Sequence, residues 1–419
     1  HRPATGSEPP DLPYAENLYP ERPYRLLAAF RACAVFEYFF PYKDLIGADW
    51  TSLVKSSLPE IDAASDAETY HRAIARLLAK TGDSHVWLKS EVLPGPNGSH
   101  APPALLAIVE GVPVVTHVFP DADVSQGEDQ LKVGDEIVTL DGAPWRVRYD
   151  DLATLTATST PQSLSNRLSS RLLLGAPNSR LKVGVRSADG VLRELTLRRT
   201  SSLDDLVVER SGPVFHHIRP DLGYVDLGRL EPFQVDAMFD ALKDTRGMIF
   251  DMRGYPRGTG RALASRLATR DRIPAALFDF PVVVPPLDAQ GDWQHQEQLM
   301  QTISRSSKPR YEGQTVLLIN EEAISQAEHL GLWLRAANGT RFIGSPTQGA
   351  NGTISEFTLP GRIRVLFTGQ RVRWPDGGQL QRIGLLPDIP VQPTLSGIRA
   401  GRDEVLDKAI EYFEAPPSP

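Results

Sequence analysis

The stretch from Thr315 to Leu334 constrains the fold of this chain more than any other. The apolar run Val316 to Ile319 is followed by a short polar turn, and Ser325 then opens a segment whose apolar residues have helical spacing. The pattern predicts a strand, a turn and a helix. Such a junction can hold a serine hydroxyl at the rim of a sheet, beside the free N–H groups of the first helical turn. The stretch therefore offers a candidate nucleophile and candidate donors for an oxyanion.

The four residues from Ser325 to Glu328 also have a purely structural interpretation. Ser-x-x-Glu before an apolar helical run is the pattern of a capping box, in which both side chains satisfy backbone donors at a helix start. Taken alone, these residues favour the cap, because caps are far commoner than nucleophiles. The order of the surrounding motifs has to decide between the two.

Length and composition narrow the classes of protein that the chain can belong to. At 419 residues, 41% of them hydrophobic, the chain can form two to four globular domains. The formal net charge of -7, without a run of Lys or Arg, argues against nucleic acid and anionic membrane surfaces as partners. No apolar stretch approaches the ~20 residues of a membrane span, and the first residues do not have the pattern of a signal peptide.

No metal or organic cofactor is expected. The single cysteine, Cys33, excludes an intrachain disulfide and a Cys-rich metal site. Apart from the adjacent His216 and His217, the nine histidines have no ligand spacing, and no phosphate-cradling motif is present.

The apolar patterns change along the chain and predict an α/β multidomain protein. Helical spacing dominates before residue 100, short strands follow, and strands alternate with helices beyond Asp204. The segment from residue 272 to 312 interrupts the last pattern as a long excursion. The predicted divisions are a Pro-rich lead-in (1–24), a helical bundle that ends in an Asp-Ser-His turn (25–100), a β-rich domain (101–203) and an α/β core (204–419).

Three further motifs lie within these regions. His85 lies in the turn Gly82-Asp83-Ser84-His85, which runs into a short apolar strand. Residues 131–142 resemble the PDZ-like fold, and the resemblance covers about residues 100 to 200, so that 101–203 is predicted to be a PDZ-like domain. PDZ-like domains bind extended peptides by strand addition. A buried strand ends in the Gly-rich turn from Arg253 to Gly258, whose backbone N–H groups can face an anion.

In this order, with Gly384-Leu385-Leu386-Pro387-Asp388 near the end, the pieces resemble the carboxy-terminal processing peptidase and tricorn-core family of serine peptidases. The resemblance implies a peptidase core of the ClpP/crotonase-like type. It makes Ser325 the nucleophile, with Glu328 as a supporting residue. The oxyanion hole would use the N–H of Gln326 and one from the Gly turn, at Gly254 or Gly258.

Two branches of that family activate the serine differently. The processing branch uses a lysine in a Gly-x-x-Thr-x-Gly-Lys stretch, and this chain has Ala350 at the lysine position. The tricorn-like branch uses a histidine that follows a serine, with a distant glutamate behind that serine. Ser84 and His85 match the first part, which makes His85 the general base, while Gln381 stands at the glutamate position. Gln381 can orient a hydroxyl but supplies no charge.

The resemblance implies a serine endopeptidase or carboxy-terminal processing peptidase that acts on a polypeptide or peptide. Two alternatives stay open from the residues alone: an acyl hydrolase or tailoring enzyme for a non-peptide substrate, and a non-catalytic peptide-binding protein with a degenerate peptidase domain. Family analogy indicates a periplasmic or secreted location. The sequence does not give the oligomeric state.

Overall fold

The stretch around Ser325 forms a strand and a helix, as its apolar pattern predicts. The fold is that of a computed structural model, which describes residue 14 and residues 17–93, 100–120, 130–283 and 294–414. Ten α-helices are present in these ranges: α1 (Arg22–Phe39), α2 (Trp50–Ala63), α3 (Ala67–Ala79), α4 (Trp145–Thr154), α5 (Pro161–Ser169), α6 (Val235–Leu242), α7 (Gly260–Leu267), α8 (Gln326–Asn338), α9 (Leu395–Arg399) and α10 (Glu404–Glu414).

The described residues also form short 3-10 helices and five sheets. The strands are β1 (Trp87–Lys89), β2 (His100–Ala101), β3 (Ala104–Val109), β4 (Val112–Val118), β5 (Glu136–Leu140), β6 (Ala143–Pro144), β7 (Arg180–Arg186), β8 (Leu192–Arg198), β9 (Ser201–Ser202), β10 (Phe215–Arg219), β11 (Leu222–Asp226), β12 (Gly247–Asp251), β13 (Ile273–Val283), β14 (Gln294–Ile303), β15 (Gln314–Ile319), β16 (Arg341–Gly344), β17 (Ile354–Leu359), β18 (Ile363–Thr368), β19 (Arg371–Arg373) and β20 (Ile389–Pro390).

The sheet that carries the candidate nucleophile has the order β10-β11-β12-β15-β16-β20. All its neighbouring pairs except β10 and β11 are parallel. Leu317 and Ile319 belong to one apolar cluster with α6, α7 and α8, while Val316 and Leu318 pack with α10 on the other face. The central strand is therefore buried on both faces, which explains its continuous apolar run. Because parallel strands end at one edge, β12 and β15 present their following turns together.

The β-rich region has the strand order β3-β4-β5-β7-β8, with β6 paired to β5. Helices α4 and α5 pack with it around one apolar cluster. Helix α5 packs against β3 on one side. Its polar residues form hydrogen bonds with residues 84 and 347–348, so the helix also contacts the segments that carry the candidate site.

Two regions differ from the sequence prediction. The three N-terminal helices do not close a core alone, because β17 and β18 complete it with Phe357, Val365 and Phe367. The excursion predicted at residues 272–312 contains the paired strands β13 and β14. Strand β14 reads QHQEQLMQTI, in which Leu299, Met300 and Ile303 are the apolar residues, and this explains why its apolar pattern was weak.

The Pro-rich lead-in lies largely outside the described residues, and α1 begins at Arg22, within the predicted lead-in. None of the helices in the described ranges is both long and apolar enough to cross a membrane. The domain boundaries given above, at residues 24, 100 and 203, stay a prediction from the sequence.

Candidate active site

Ser325 lies between β15 and α8 in an unusual backbone conformation, with φ 57° and ψ -115°. A positive φ is uncommon for a residue other than glycine and costs conformational energy. The Ser325 N–H donates to the Ala350 carbonyl oxygen at 2.8 Å. The side chain forms no capping hydrogen bond with α8, so its Oγ is not used as a helix cap. A strained serine between a strand and a helix is the geometry of a nucleophile elbow.

Glu328, the other half of the possible capping box, faces a loop. Its fully buried carboxylate accepts hydrogen bonds from Thr347 Oγ1–H at 2.5 Å, from the Gly349 N–H at 2.7 Å and from the Ala350 N–H at 3.1 Å. Burial raises the pKa of Glu328 to about 7, although these donors act in the opposite direction. Glu328 thus fixes the loop whose Ala350 carbonyl holds Ser325.

Strand pairing places Thr368 opposite His85. Trp87 pairs with Leu366 in an antiparallel register, and two residues further along this register His85 faces Thr368. His85 Nδ1 lies 2.9 Å from Thr368 Oγ1, which donates to Asp83 Oδ2 at 2.6 Å. Because the single hydroxyl proton of Thr368 goes to Asp83, the network assigns the ring proton of His85 to Nδ1. Nε2 is then the acceptor nitrogen.

The Nε2 atom of His85 is buried and has no hydrogen-bond partner among the described residues. Burial lowers the pKa of His85; the charge of Asp83 acts against this effect and that of Arg167 adds to it. A lowered pKa keeps the imidazole neutral at pH 7. His85 therefore has the protonation state that a general base needs.

Asp83 supplies the negative charge behind His85. Its buried carboxylate accepts from the His85 N–H and from Gln381 Nε2–H, each at 3.0 Å, and from the hydroxyl and the N–H of Thr368. A glutamate in place of Gln381 would set a second carboxylate beside the first, and such like charges disfavour each other. Gln381 also donates to the Ser159 hydroxyl at 3.2 Å, so it orients both groups.

The family resemblance gives the serine before His85 a role beside the imidazole, but Ser84 does not occupy that position. Its hydroxyl turns towards α5, where it accepts from the Ser159 N–H at 2.8 Å and lies 2.8 Å from Ser163 Oγ. The position next to His85 Nδ1 belongs to Thr368 instead.

Contacts through α5 join the His85 turn to the Ser325 segment. The Ser163 hydroxyl, beside Ser84, donates to Gln348 Oε1 at 2.8 Å, and the Gln348 N–H donates to the Ala323 carbonyl at 3.0 Å. His85 Nε2 and Ser325 Oγ form no direct hydrogen bond in this structure. Catalytic hydrogen bonds are often long without substrate and tighten in the Michaelis complex.

Of the expected oxyanion donors, Gln326 and Gly258 have backbone N–H groups without an acceptor among the described residues. The Gln326 side chain also lies near Gly258, since a Cβ atom added to Gly258 would lie 3.9 Å from Gln326 Nε2. By contrast, the Gly254 N–H donates to the Met252 carbonyl at 2.9 Å. The geometry therefore favours Gly258 over Gly254 as the second donor.

His329, four residues after Ser325 on α8, is a packing residue. Its Nε2 lies 2.8 Å from Gln301 Oε1, and its Nδ1 faces the Asn351 amide at 3.5 Å. The ring packs against Trp333 at 4.8 Å, and burial lowers the pKa of His329 to about 4. Both ring nitrogens are thus turned towards side chains other than Ser325.

Asp83 and Thr368 were not predicted from the sequence as functional residues. Asp83 stands directly before the Ser84-His85 pair, and Thr368 ends a predicted strand, so each had a local position but no sign of its partner. In the part of the chain that the structure describes, no three His, Cys, Asp or Glu side chains are grouped to hold a metal ion.

Comparison with known proteins is consistent with this geometry. Residues 221–391, which include Ser325, match the model of peptidase family S41. The matched segment covers most of the α/β core, and it identifies this core as that of a serine peptidase. A comparison with curated proteins gives no significant match.

Three solved structures share the fold of this chain. Mature CPAF complexed with lactacystin has 15% sequence identity and a TM-score of 0.72, covering 94% of this chain and 98% of that chain. A CPAF mutant has 15% identity and a TM-score of 0.74, covering 95% and 99%. A putative peptidase from Parabacteroides merdae has 16% identity and a TM-score of 0.55, covering 95% and 98%. The likeness therefore extends over the N-terminal helices and the β-rich region as well as the core.

Proposed function

We propose that this chain cleaves peptide bonds through an acyl-enzyme on Ser325, with His85 as its general base. The observation that carries the proposal is the strained conformation of Ser325, whose hydroxyl does not cap α8. A backbone strain of this kind is kept where the surrounding structure needs the side chain in one place. The proposed substrate is a polypeptide, cleaved internally or near its carboxyl end.

The first step is a proton transfer coupled to attack. Ser325 Oγ attacks the scissile carbonyl carbon while its proton moves to His85 Nε2, which is the unprotonated nitrogen of the assigned tautomer. In the resulting imidazolium, the Nδ1–H donates to Thr368 Oγ1. The Asp83 carboxylate stabilises the positive charge through that hydroxyl. Substrate binding has to bring Oγ and Nε2 within hydrogen-bond distance.

The second requirement is stabilisation of the oxyanion. The N–H groups of Gln326 and Gly258 are the proposed donors, and one such donor typically contributes about 3 kcal/mol to lowering the barrier. The His85 imidazolium then protonates the leaving amine, and the acyl-enzyme forms. A water molecule, deprotonated by the same Nε2, hydrolyses the ester and restores Ser325.

Labelling with a fluorophosphonate tests the nucleophile directly. We expect the wild-type chain to be labelled on Ser325, and Ser325→Ala to abolish the label. Ser306→Ala is a matched control, because this serine lies in a loop of the same core away from the elbow; its label should be unchanged. A label that persists in Ser325→Ala would contradict the proposal.

Substrate tests separate the remaining interpretations. Enzyme that has not been treated with the fluorophosphonate should hydrolyse an unfolded polypeptide. Labelling with ester hydrolysis but without peptide cleavage would indicate an acyl hydrolase. A folded chain that takes no label and cleaves nothing would indicate a peptide-binding protein.

A further inference from the structure

A cleft of about 620 Å³ lies along the turns that flank the candidate nucleophile. One wall is the extended segment Leu206 to Arg210, and the other is formed by the Gly254-Tyr255 turn together with Asn320 and Glu322. This volume lies in the range of sites that bind small molecules or single side chains. The cleft adjoins both the turn that contains Gly258 and the turn that leads to Ser325.

The extended wall is suited to a substrate in strand conformation. Val207 and Val208 are 63% and 48% exposed, and the N–H groups of residues 207–210 have no backbone acceptor among the described residues. Exposed apolar side chains beside unpaired backbone groups favour binding of an extended peptide by strand addition.

The positive charges of the cleft are already paired. Four arginines line it, and each forms an ion pair with an aspartate or glutamate: Arg210 and Arg229 with Asp226, Arg253 with Asp251 and Asp403, and Arg257 with Glu231. Guanidinium groups held in this way are not free to bind a substrate carboxylate.

Glu322, by contrast, is an acidic group without a close partner. Its carboxylate forms no hydrogen bond or ion pair with any described residue, although Arg210 and Arg253 act on its charge from a greater distance. The residue is exposed and lines the cleft, so its carboxylate is open to a ligand. A carboxylate without a partner gains Coulomb energy from a cation placed beside it.

We propose that the cleft is a substrate subsite for a basic side chain, lysine or arginine, and that Glu322 determines this specificity. The inference rests on the proposed peptidase function. The bound cation would pair with the Glu322 carboxylate, while the substrate backbone lies along residues 207–210. An acidic group in a side-chain pocket selects basic residues in other serine peptidases by the same physics.

The position of Glu322 limits where the basic residue stands in the substrate. Glu322 is three residues before Ser325 in the chain, and three residues span at most about 10 Å. The basic residue should therefore lie within about three residues of the scissile bond.

Cleavage of a synthetic peptide library of equal residue composition tests the subsite. Cleavage sites are mapped by mass spectrometry, and the measured quantity is the ratio of cleavage near Lys or Arg to cleavage near uncharged residues. A ratio within one preparation does not depend on the fraction of active enzyme. We expect Glu322→Gln to lower this ratio about tenfold or more, and Glu322→Lys to reverse it in favour of acidic residues.

The control is Glu312→Gln, an exposed glutamate of the same core outside the cleft, which should leave the ratio unchanged. A wild-type enzyme without preference for basic residues, or an unchanged ratio in Glu322→Gln, would overturn the subsite while leaving the peptidase function intact. If the wild type cleaves no library peptide and Ser325 takes no fluorophosphonate, the peptidase proposal itself fails.

Discussion

The two halves of the candidate active site are built in different ways. The nucleophile half comes from one continuous stretch, in which β15, a short turn and α8 position Ser325 and leave the Gln326 N–H free. The base half joins residues that are far apart in the chain: the turn at residues 83–85, Thr368 at the end of β18 and Gln381.

This difference has an energetic consequence. Regular secondary structure on a buried sheet holds the nucleophile half, and its polar loop is satisfied by Glu328. The base half depends on a buried network in which Asp83, Thr368 and Gln381 satisfy one another. Removing one member of such a network leaves its partners unpaired in a medium of low dielectric constant. We therefore expect the base half to be the more sensitive to small side-chain changes.

The largest effect should separate the two histidines, one in each half. If His85 is the base, His85→Ala should lower kcat/KM about 10⁴-fold or more, because no other described group offers a free acceptor nitrogen at that place. His329→Ala should cost less than about tenfold, since that ring packs against Trp333 and its nitrogens face Gln301 and Asn351. Steady-state kinetics on folded protein, checked by circular dichroism, measure both values.

The opposite pattern would break the comparison. An essential His329 with a dispensable His85 would place both nucleophile and base on α8, and the long-range half would then be structural.

The nucleophile half of the site could be predicted from local sequence patterns, whereas most of the base half could not. Ser325 and its neighbouring strand and helix were predictable because apolar periodicity and turn residues are local properties. His85 was predictable only from the ordered resemblance to a family. Thr368 and Asp83 were not, because their roles depend on the pairing of β1 with β18, residues almost 280 positions apart, and a single sequence shows no such pairing. The core of the N-terminal helices could not be predicted in full for the same reason, because distant residues of β17 and β18 complete it.

A smaller effect should come from the hydroxyl that links His85 to Asp83. Thr368→Val keeps the shape of the side chain but removes both hydrogen bonds of Thr368 Oγ1. The His85 Nδ1–H then loses its acceptor, and we expect kcat/KM to fall about 10- to 100-fold.

Thr368→Ser keeps the hydroxyl and serves as the conservative control. It should retain activity within a few-fold of wild type, and the loss in Thr368→Val should appear mainly in kcat. Equal losses in both variants would indicate that the methyl group matters for packing and that the hydroxyl does not position the base.

The smallest effect, a shift of the pH profile, tells which half controls activity. Burial lowers the pKa of His85 below its ordinary value of ~6.5, and burial raises the pKa of Glu328 to about 7. Neutral His85 is the active form, so activity should be lost as the pH falls through its lowered pKa. We therefore expect the acid limb of kcat/KM to have its midpoint below ~6.5.

Asp83→Asn should move this midpoint lower still, because the charge of Asp83 stabilises the imidazolium. A midpoint near 7 that disappears in Glu328→Gln would assign control to the nucleophile half instead, and a limb that rises only above pH ~8 would indicate an amine base.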